Sequence, residues 1–400
     1  MHELDGRIQH YAWGSATAIP QFLGRDADGT PWAEVWYGAH PLAPSQLPGG
    51  LDLDAAIAAD PRRTLGDGVA RAFEDRLPFL LKIIAPERPL SLQVHPTREH
   101  AAESFAAENA AGLALDSPHR NYRDDNHKPE MLVALTRFTA LCGFRTPRRA
   151  AAILEGLGTD LTDRLHSLLV RNPTAHGMRA AFRTLVSSSM RPPARAVEEV
   201  VAACRARHEA GASPSPRIDR IVSLLAEHHP GDPGVAAALL LNPVTLQPGE
   251  AMFVPAGALH AYLHGVGVEI MAASDNVLRA GLTPKRVDAD EMLQCVSVAA
   301  APPLRVAPER QNATSVAYYA PVDDFELSMT TLEDPPGVFG RRHAVPGSGP
   351  RIVLGLEGEV LLETDAGRHV LPAGRAVFVP AADGALRAGG RGRFAQACVP

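Results

Sequence analysis

The sequence predicts a mainly β protein, two related β units with an α-helical insertion, and three observations lead there. Short apolar runs separated by turn residues fill both ends of the chain; over residues 146–229 the apolar spacing lengthens to that of helices; and two β segments repeat each other at an offset of 125. At 400 residues the chain exceeds one ordinary domain of roughly 150 residues and can bury a sizeable core. With 46% hydrophobic and 21% charged residues, it is globular rather than disordered.

Residues 77–92, LPFLLKIIAPERPLSL, alternate short apolar runs with Pro-containing turns, and residues 131–142 are another apolar, β-branched stretch. Both read as strands. Then the period changes. Leu161, Leu165, Leu168 and Leu169, followed by Met178, Ala181, Phe182 and Leu185, by Val197, Val200, Val201 and Cys204, and by Ile218, Ile221, Val222 and Leu225, predict four amphipathic helices. Pro192, Pro193 and the GASPSP of residues 211–216 punctuate them as loops. After Pro243 strand-like runs return. The expected division is a first β unit of residues 1–145 plus 236–300, a helical insertion of 146–235, and a second β unit of 301–400.

Within the first unit, Leu246-Gln-Pro-Gly-Glu-Ala-Met-Phe-Val-Pro-Ala256 aligns with Leu371-Pro-Ala-Gly-Arg-Ala-Val-Phe-Val-Pro-Ala381 of the second. At the same offset His260 falls on Ala385, so only the first copy is equipped with a ligand. The spacing Gly249-x5-Pro255-x-Gly257-x2-His260-x3-His264 resembles the second motif of cupin β-barrels, in which Gly and Pro shape a turn and the His projects into the barrel mouth. Gln93-Val94-His95 places two further polar side chains on one strand face, because alternate residues point the same way.

Composition excludes several classes. Lys plus Arg total 39 against 45 for Asp plus Glu, a net charge of −6, and the basic residues are scattered, so no nucleic-acid partner is expected. The N-terminal MHELDGRIQHYAWGS carries charges and no apolar core, so it does not read as a secretory signal, and no apolar run suits a membrane helix. Cys142, Cys204, Cys295 and Cys398 lie far apart, without the spacing of a zinc knuckle or disulfide framework. A reducing cytoplasm is the expected compartment.

The densest concentration of chemistry is Tyr122-Arg-Asp-Asp-Asn-His-Lys-Pro-Glu130, directly before an apolar strand. Y-x-D-x-N-H-K-P-E is the hallmark of type I mannose-6-phosphate isomerases, and residues 260–285, HAYLHGVGVEIMAASDNVLRAGLTPK, resemble the same family's second hallmark. Tyr11-Ala-Trp-Gly-Ser15 and Trp32-Ala-Glu-Val-Trp-Tyr-Gly-Ala-His-Pro41 are smaller matches. Together they span roughly residues 1 to 290. One departure is peripheral: after QxHP the family often continues with an acidic or amide residue and Lys, where this chain has Thr97 and Arg98.

The resemblance implies two cupin-like barrels with a helical insertion, and one zinc ion per chain bound by Gln93, His95, Glu130 and His260. The chemistry agrees. Two imidazoles, one carboxylate and one neutral amide leave the ion about one net positive charge and its Lewis acidity, which a Cys-rich structural site would quench. No other ligand cluster is legible in the sequence, and His264, although on the same strand face, is not required by the family pattern.

The implied reaction is reversible conversion of mannose 6-phosphate to fructose 6-phosphate through a cis-enediol, in carbohydrate metabolism leading to GDP-mannose. Arg279 is the implied stabiliser of developing charge, while Glu269, Asp275, Lys128, His127 and a metal-bound water are candidates for proton transfer that sequence leaves unranked. Ser91, Lys82 and Lys285 are expected to bind substrate. Lys82 interrupts the apolar run 80–84, so it is either buried beside an anionic partner or snorkelling from an edge strand. Several cations around one metal suit a small anionic sugar phosphate, and no Walker or G-x-G-x-x-G loop indicates a nucleotide. A monomer is expected. Two competing classes are an iron cupin oxygenase, disfavoured because Gln93 stands where a His-x-His pair needs His, and a non-catalytic sugar-phosphate sensor.

Overall fold

In the computed structural model, which describes residues 1–334 and 341–400, the alternating apolar residues assemble into three antiparallel sheets. A seven-stranded sheet runs Leu304–Val306, Ala251–Val254, Glu130–Ala134, Gly267–Ala272, Phe79–Ile84, Glu34–Gly38, Arg7–Gln9, and faces a five-stranded sheet, Leu278–Gly281, Leu92–Val94, His260–His264, Phe138–Phe144, Leu241–Leu246. Ile84, Leu132, Met252 and Val254 of the first meet Phe138, Val244, Leu246 and Tyr262 of the second, closing one end of the barrel with a dry core.

The outer faces are covered too. Val35, Leu81, Ile83, Met131 and Ile270 pack on Ile352, Leu354 and Phe378 of the nine-stranded C-terminal sheet. Leu92, Val94, Leu141 and Leu263 pack on the helical insertion. The central strands Glu34–Gly38, Phe79–Ile84, Glu130–Ala134 and Gly267–Ala272 are therefore buried on both sides, and the polar residues within them stand out physically.

The four helices predicted from spacing are present as Asp160–Arg171, Ala175–Val186, Ala194–Glu209 and Pro216–His228. Thr159 and Thr162 form a capping box at the first, and Pro216 opens the last at a position that needs no N–H. Flanking them are two shorter helices, Pro147–Leu154 and Pro233–Ala237, the second buried along its whole length and so without a polar face to mark it in the sequence. Helix Arg98–Ala110 carries no such signal, because Ala101 is its one buried residue; Thr97, the departure from the family pattern, caps it.

Two strands cross between the β units. His2–Leu4 pairs with Ala376–Val379 of the C-terminal sheet, whereas Leu304–Val306 pairs with Ala251–Val254 of the first unit. The repeated segments adopt the same grammar, strand, Gly turn, strand, with Ala251–Val254 and Ala376–Val379 matching at the predicted offset. Among the described residues all four cysteines are free, and no helix is long and apolar enough to cross a membrane.

Candidate active site

Register brings the polar residues together. In the five-stranded sheet Arg279 pairs with Gln93, Gln93 with His260, and His260 with Cys142, so the four occupy one row across four strands. Gln93 and His95 share a face by alternation. Opposite, in the seven-stranded sheet, Trp36, Lys82 and Glu269 form another row, and Glu130 begins its strand beside Met271.

At the meeting of the two sheets, His95 Nε2 lies 3.2 Å from Glu130 Oε1 and His260 Nε2 lies 3.4 Å from Glu130 Oε2, all three residues buried. The tautomers follow from the far side of each ring. His95 Nδ1 is 2.7 Å from the Asn276 carbonyl and His260 Nδ1 is 3.0 Å from the Ala258 carbonyl, so both Nδ1 atoms carry the proton and both Nε2 atoms present lone pairs. Lone pairs facing a carboxylate at these distances repel unless a cation lies between them. Among the described residues His95 Nε2 and Glu130 Oε2 accordingly have no hydrogen-bond partner.

Protonation agrees. Burial pushes His95 down to about 4, leaving it neutral at ordinary pH. The Gln93 amide completes the group, its Nε2 at 3.3 Å from His260 Nε2; a half-turn of the amide presents the oxygen instead. The donor set of two neutral imidazoles, a carboxylate and an amide fits a zinc ion.

The two hallmark segments hold this arrangement by gripping each other. Asn276, fully buried, donates from Nδ2 to the carbonyls of Asp124 and Asn126 at 2.8 Å and accepts at Oδ1 from the Arg123 N–H. Asp124 accepts from the Ser274 hydroxyl at 2.7 Å and the Asp275 N–H at 2.8 Å. The same Asn276 carbonyl orients His95. Residues that look merely polar in the sequence thus form the frame behind the ligands.

Lys82 is buried, not snorkelling. Its Nζ lies 3.5 Å from Glu269 Oε2 and 3.8 Å from Glu34 Oε2, and 5.0 Å from the centre of the Trp36 ring, whose Nε1 donates to Glu34 at 2.6 Å. Burial works to lower its pKa, but Glu34 and Glu269 outweigh it and the net shift is upward. Burial, and after it the Glu130 charge, lifts Glu269 to about 7 against the pull of Lys82. Asp275 is different. His40 Nδ1 accepts from the Leu42 N–H, so its Nε2 carries the proton and faces Asp275 Oδ1 at 3.4 Å. Burial opposes ionisation, but that contact holds Asp275 below the usual carboxylate range.

These groups surround a cavity of about 480 Å³ lined by Ser91, Lys82, Gln93, Lys128, Glu130, Glu269, Asp275, Arg279 and Lys285. Lys128 Nζ is 3.8 Å from Glu130 Oε1. Among the described residues Arg279, Lys285 and Arg88 line the cavity without an acidic partner within 4.0 Å. Although the Gly and Pro of residues 274–285 suggest an irregular loop at the barrel mouth, Arg279 lies in the strand Leu278–Gly281, where apolar Leu278 and Ala280 alternate with it and fix its face.

His127 is not brought to the site. Lys128 lines the cavity, whereas His127 turns away from it to Asp324 Oδ2 at 2.9 Å, where Arg98 also binds. His264 is exposed beyond a bulge in its strand. Glu34, Trp36, His40, Arg88 and Asn276 are site residues that sequence reasoning missed; for the first three, the match over residues 32–41 was the available signal.

A sequence profile described as phosphomannose isomerase type I, catalytic domain, matches residues 1–147. The mannose-6-phosphate isomerase of Salmonella typhimurium is 38% identical over 403 residues, covering 99% of each chain, and that of Homo sapiens is 31% identical, covering 91% of this chain and 89% of its own. A crystal structure of the Salmonella typhimurium enzyme bound to fructose 6-phosphate and zinc superposes with a TM-score of 0.88 at 35% identity, covering 100% of this chain and 99% of that one. The chain belongs to the type I phosphomannose isomerase family.

Proposed function

We propose that the chain interconverts D-mannose 6-phosphate and D-fructose 6-phosphate. The observation that carries this is the convergence of the His95, His260 and Glu130 lone pairs at the wall of a cavity also lined by the cations Arg279 and Lys285. His95, Glu130 and His260, with Gln93, would hold one zinc ion, which when bound supplies a Lewis acid that polarises a sugar oxygen.

The chain's own residues do the rest. Lys285, exposed at the mouth, and Ser91 bind the phosphate end, and Lys82 contacts the sugar from its place between Glu34 and Glu269. Glu269, with its carboxyl near 7, exists in both protonation states at neutral pH and is suited to carry the proton from C2 to C1. As that proton leaves, the cis-enediol forms and negative charge develops on the oxygens at C1 and C2. Arg279 stabilises it, a preorganised cation held by strand register beside Gln93. Asp275 and Lys128, each held in an ion pair, orient the sugar hydroxyls.

The proposed organisation is a catalytic barrel of residues 1–145 plus 236–300, a helical insertion of 146–235 and a C-terminal barrel of 301–400 without metal ligands, the crossing strands excepted. A cytoplasmic monomer acting on a free sugar phosphate completes the reading. The test is a coupled isomerase assay before and after chelation. Turnover lost on chelation and restored by zinc is expected. Oxygen consumption with iron, or sugar-phosphate binding without turnover, would favour the oxygenase or the sensor instead.

A further inference from the structure

A second set of ligating side chains converges outside the cavity. Glu291 and Cys295 lie one turn apart on the helix Ala289–Cys295, and His100 reaches them from the first turn of Arg98–Ala110. One ligand atom from each lies within 4.8 Å of the other two. His100 Nε2 is 2.7 Å from Glu291 Oε1; the Tyr122 hydroxyl donates to the same oxygen at 2.5 Å and lies 3.4 Å from Cys295 Sγ.

We propose that His100, Glu291 and Cys295 form a second cation site, for a thiophilic divalent ion. Residues four apart on a helix present their side chains to one face, which is the spacing a bidentate helical site needs. The nitrogen, oxygen and sulfur donors differ in kind from the first site, whose inward-facing donors are nitrogen and oxygen, and sulfur selects soft ions. All three residues are partly exposed, so an ion enters from solvent without opening the fold, and water takes the remaining coordination position. On binding, His100 and Glu291 exchange their mutual hydrogen bond for the metal, the imidazole proton resides on Nδ1, and the Cys295 thiol proton passes to solvent as the sulfur ligates.

The site stands independently of the isomerase reading and is tested on zinc-loaded protein titrated with Cd²⁺. The expected result is one further equivalent bound, with an ultraviolet thiolate-to-cadmium charge-transfer band. Cys295→Ser loses both the band and that equivalent, and His100→Gln binds cadmium ~10-fold more weakly or worse, while isomerase activity without cadmium is unchanged in both. Absence of the band in the wild-type protein overturns the proposal. So does a band undiminished in Cys295→Ser, which would place the ion on another cysteine such as Cys142.

Discussion

The two β units share a strand-turn-strand grammar but use their interiors differently. The C-terminal interior is filled by Val353, Val360, Leu362, Val377, Val379 and Phe394. The first unit has a comparable dry plug at one end, but at the other its inward positions carry Gln93, Glu130, Lys82, Glu269, His260 and Arg279. Where His260 stands in the first copy, the second has Ala385. The same fold therefore separates two tasks: one barrel keeps buried polar groups in a costly arrangement that a cation relieves, and the other contributes apolar burial and covers the first sheet's outer face.

Glu130→Ala breaks this division most severely. It removes the carboxylate between two lone-pair nitrogens, so zinc content should fall and turnover should drop by more than the ~10²–10³-fold that loss of one transition-state donor costs; elemental analysis and the coupled assay check both. Phe394→Ala is the complementary test in the other barrel. Deleting a fully buried ring should cost ~3–5 kcal/mol in denaturant unfolding, while the protein that remains folded keeps its zinc and its kcat.

Arg279→Ala separates rate from stability within the first barrel. A fall in kcat of ~10²-fold is expected, with zinc content and Tm near wild type, and Arg279→Lys should rescue poorly because an ammonium lacks the planar fork. Loss of stability with normal kcat would make Arg279 a structural residue.

The smallest effect is electrostatic. Glu269 titrates at about 7 in the folded chain against an ordinary 4.5, so the folded state holds this proton more tightly than the unfolded state. Its contribution is complete below pH 4.5 and is lost as pH rises through about 7. Urea unfolding of the zinc-free protein across that window should show a downward slope that Glu269→Gln flattens.

What could be read from the sequence was whatever leaves a local or motif-level trace. Helices such as Asp160–Arg171 announce themselves through buried Leu161, Leu165 and Leu169, and the ligands through the two hallmark segments. Helix Arg98–Ala110 does not, because it buries almost nothing. The partners of Lys82 depend on register between strands some fifty and two hundred residues away, so its burial could only be posed as an alternative. His127 was misplaced because motif membership carries no side-chain direction. The His100, Glu291 and Cys295 cluster was invisible for the same reason as Lys82's partners: 191 residues separate its first two members.

That the chemistry resides at one end of the first barrel is tested most directly by zinc re-addition to stripped wild-type and His260→Ala proteins side by side, reading turnover of mannose 6-phosphate. The prediction is that wild type is inactive when stripped and recovers at one equivalent of zinc, whereas His260→Ala does not recover. Full recovery of His260→Ala, or undiminished turnover by the stripped wild-type protein, would contradict the account.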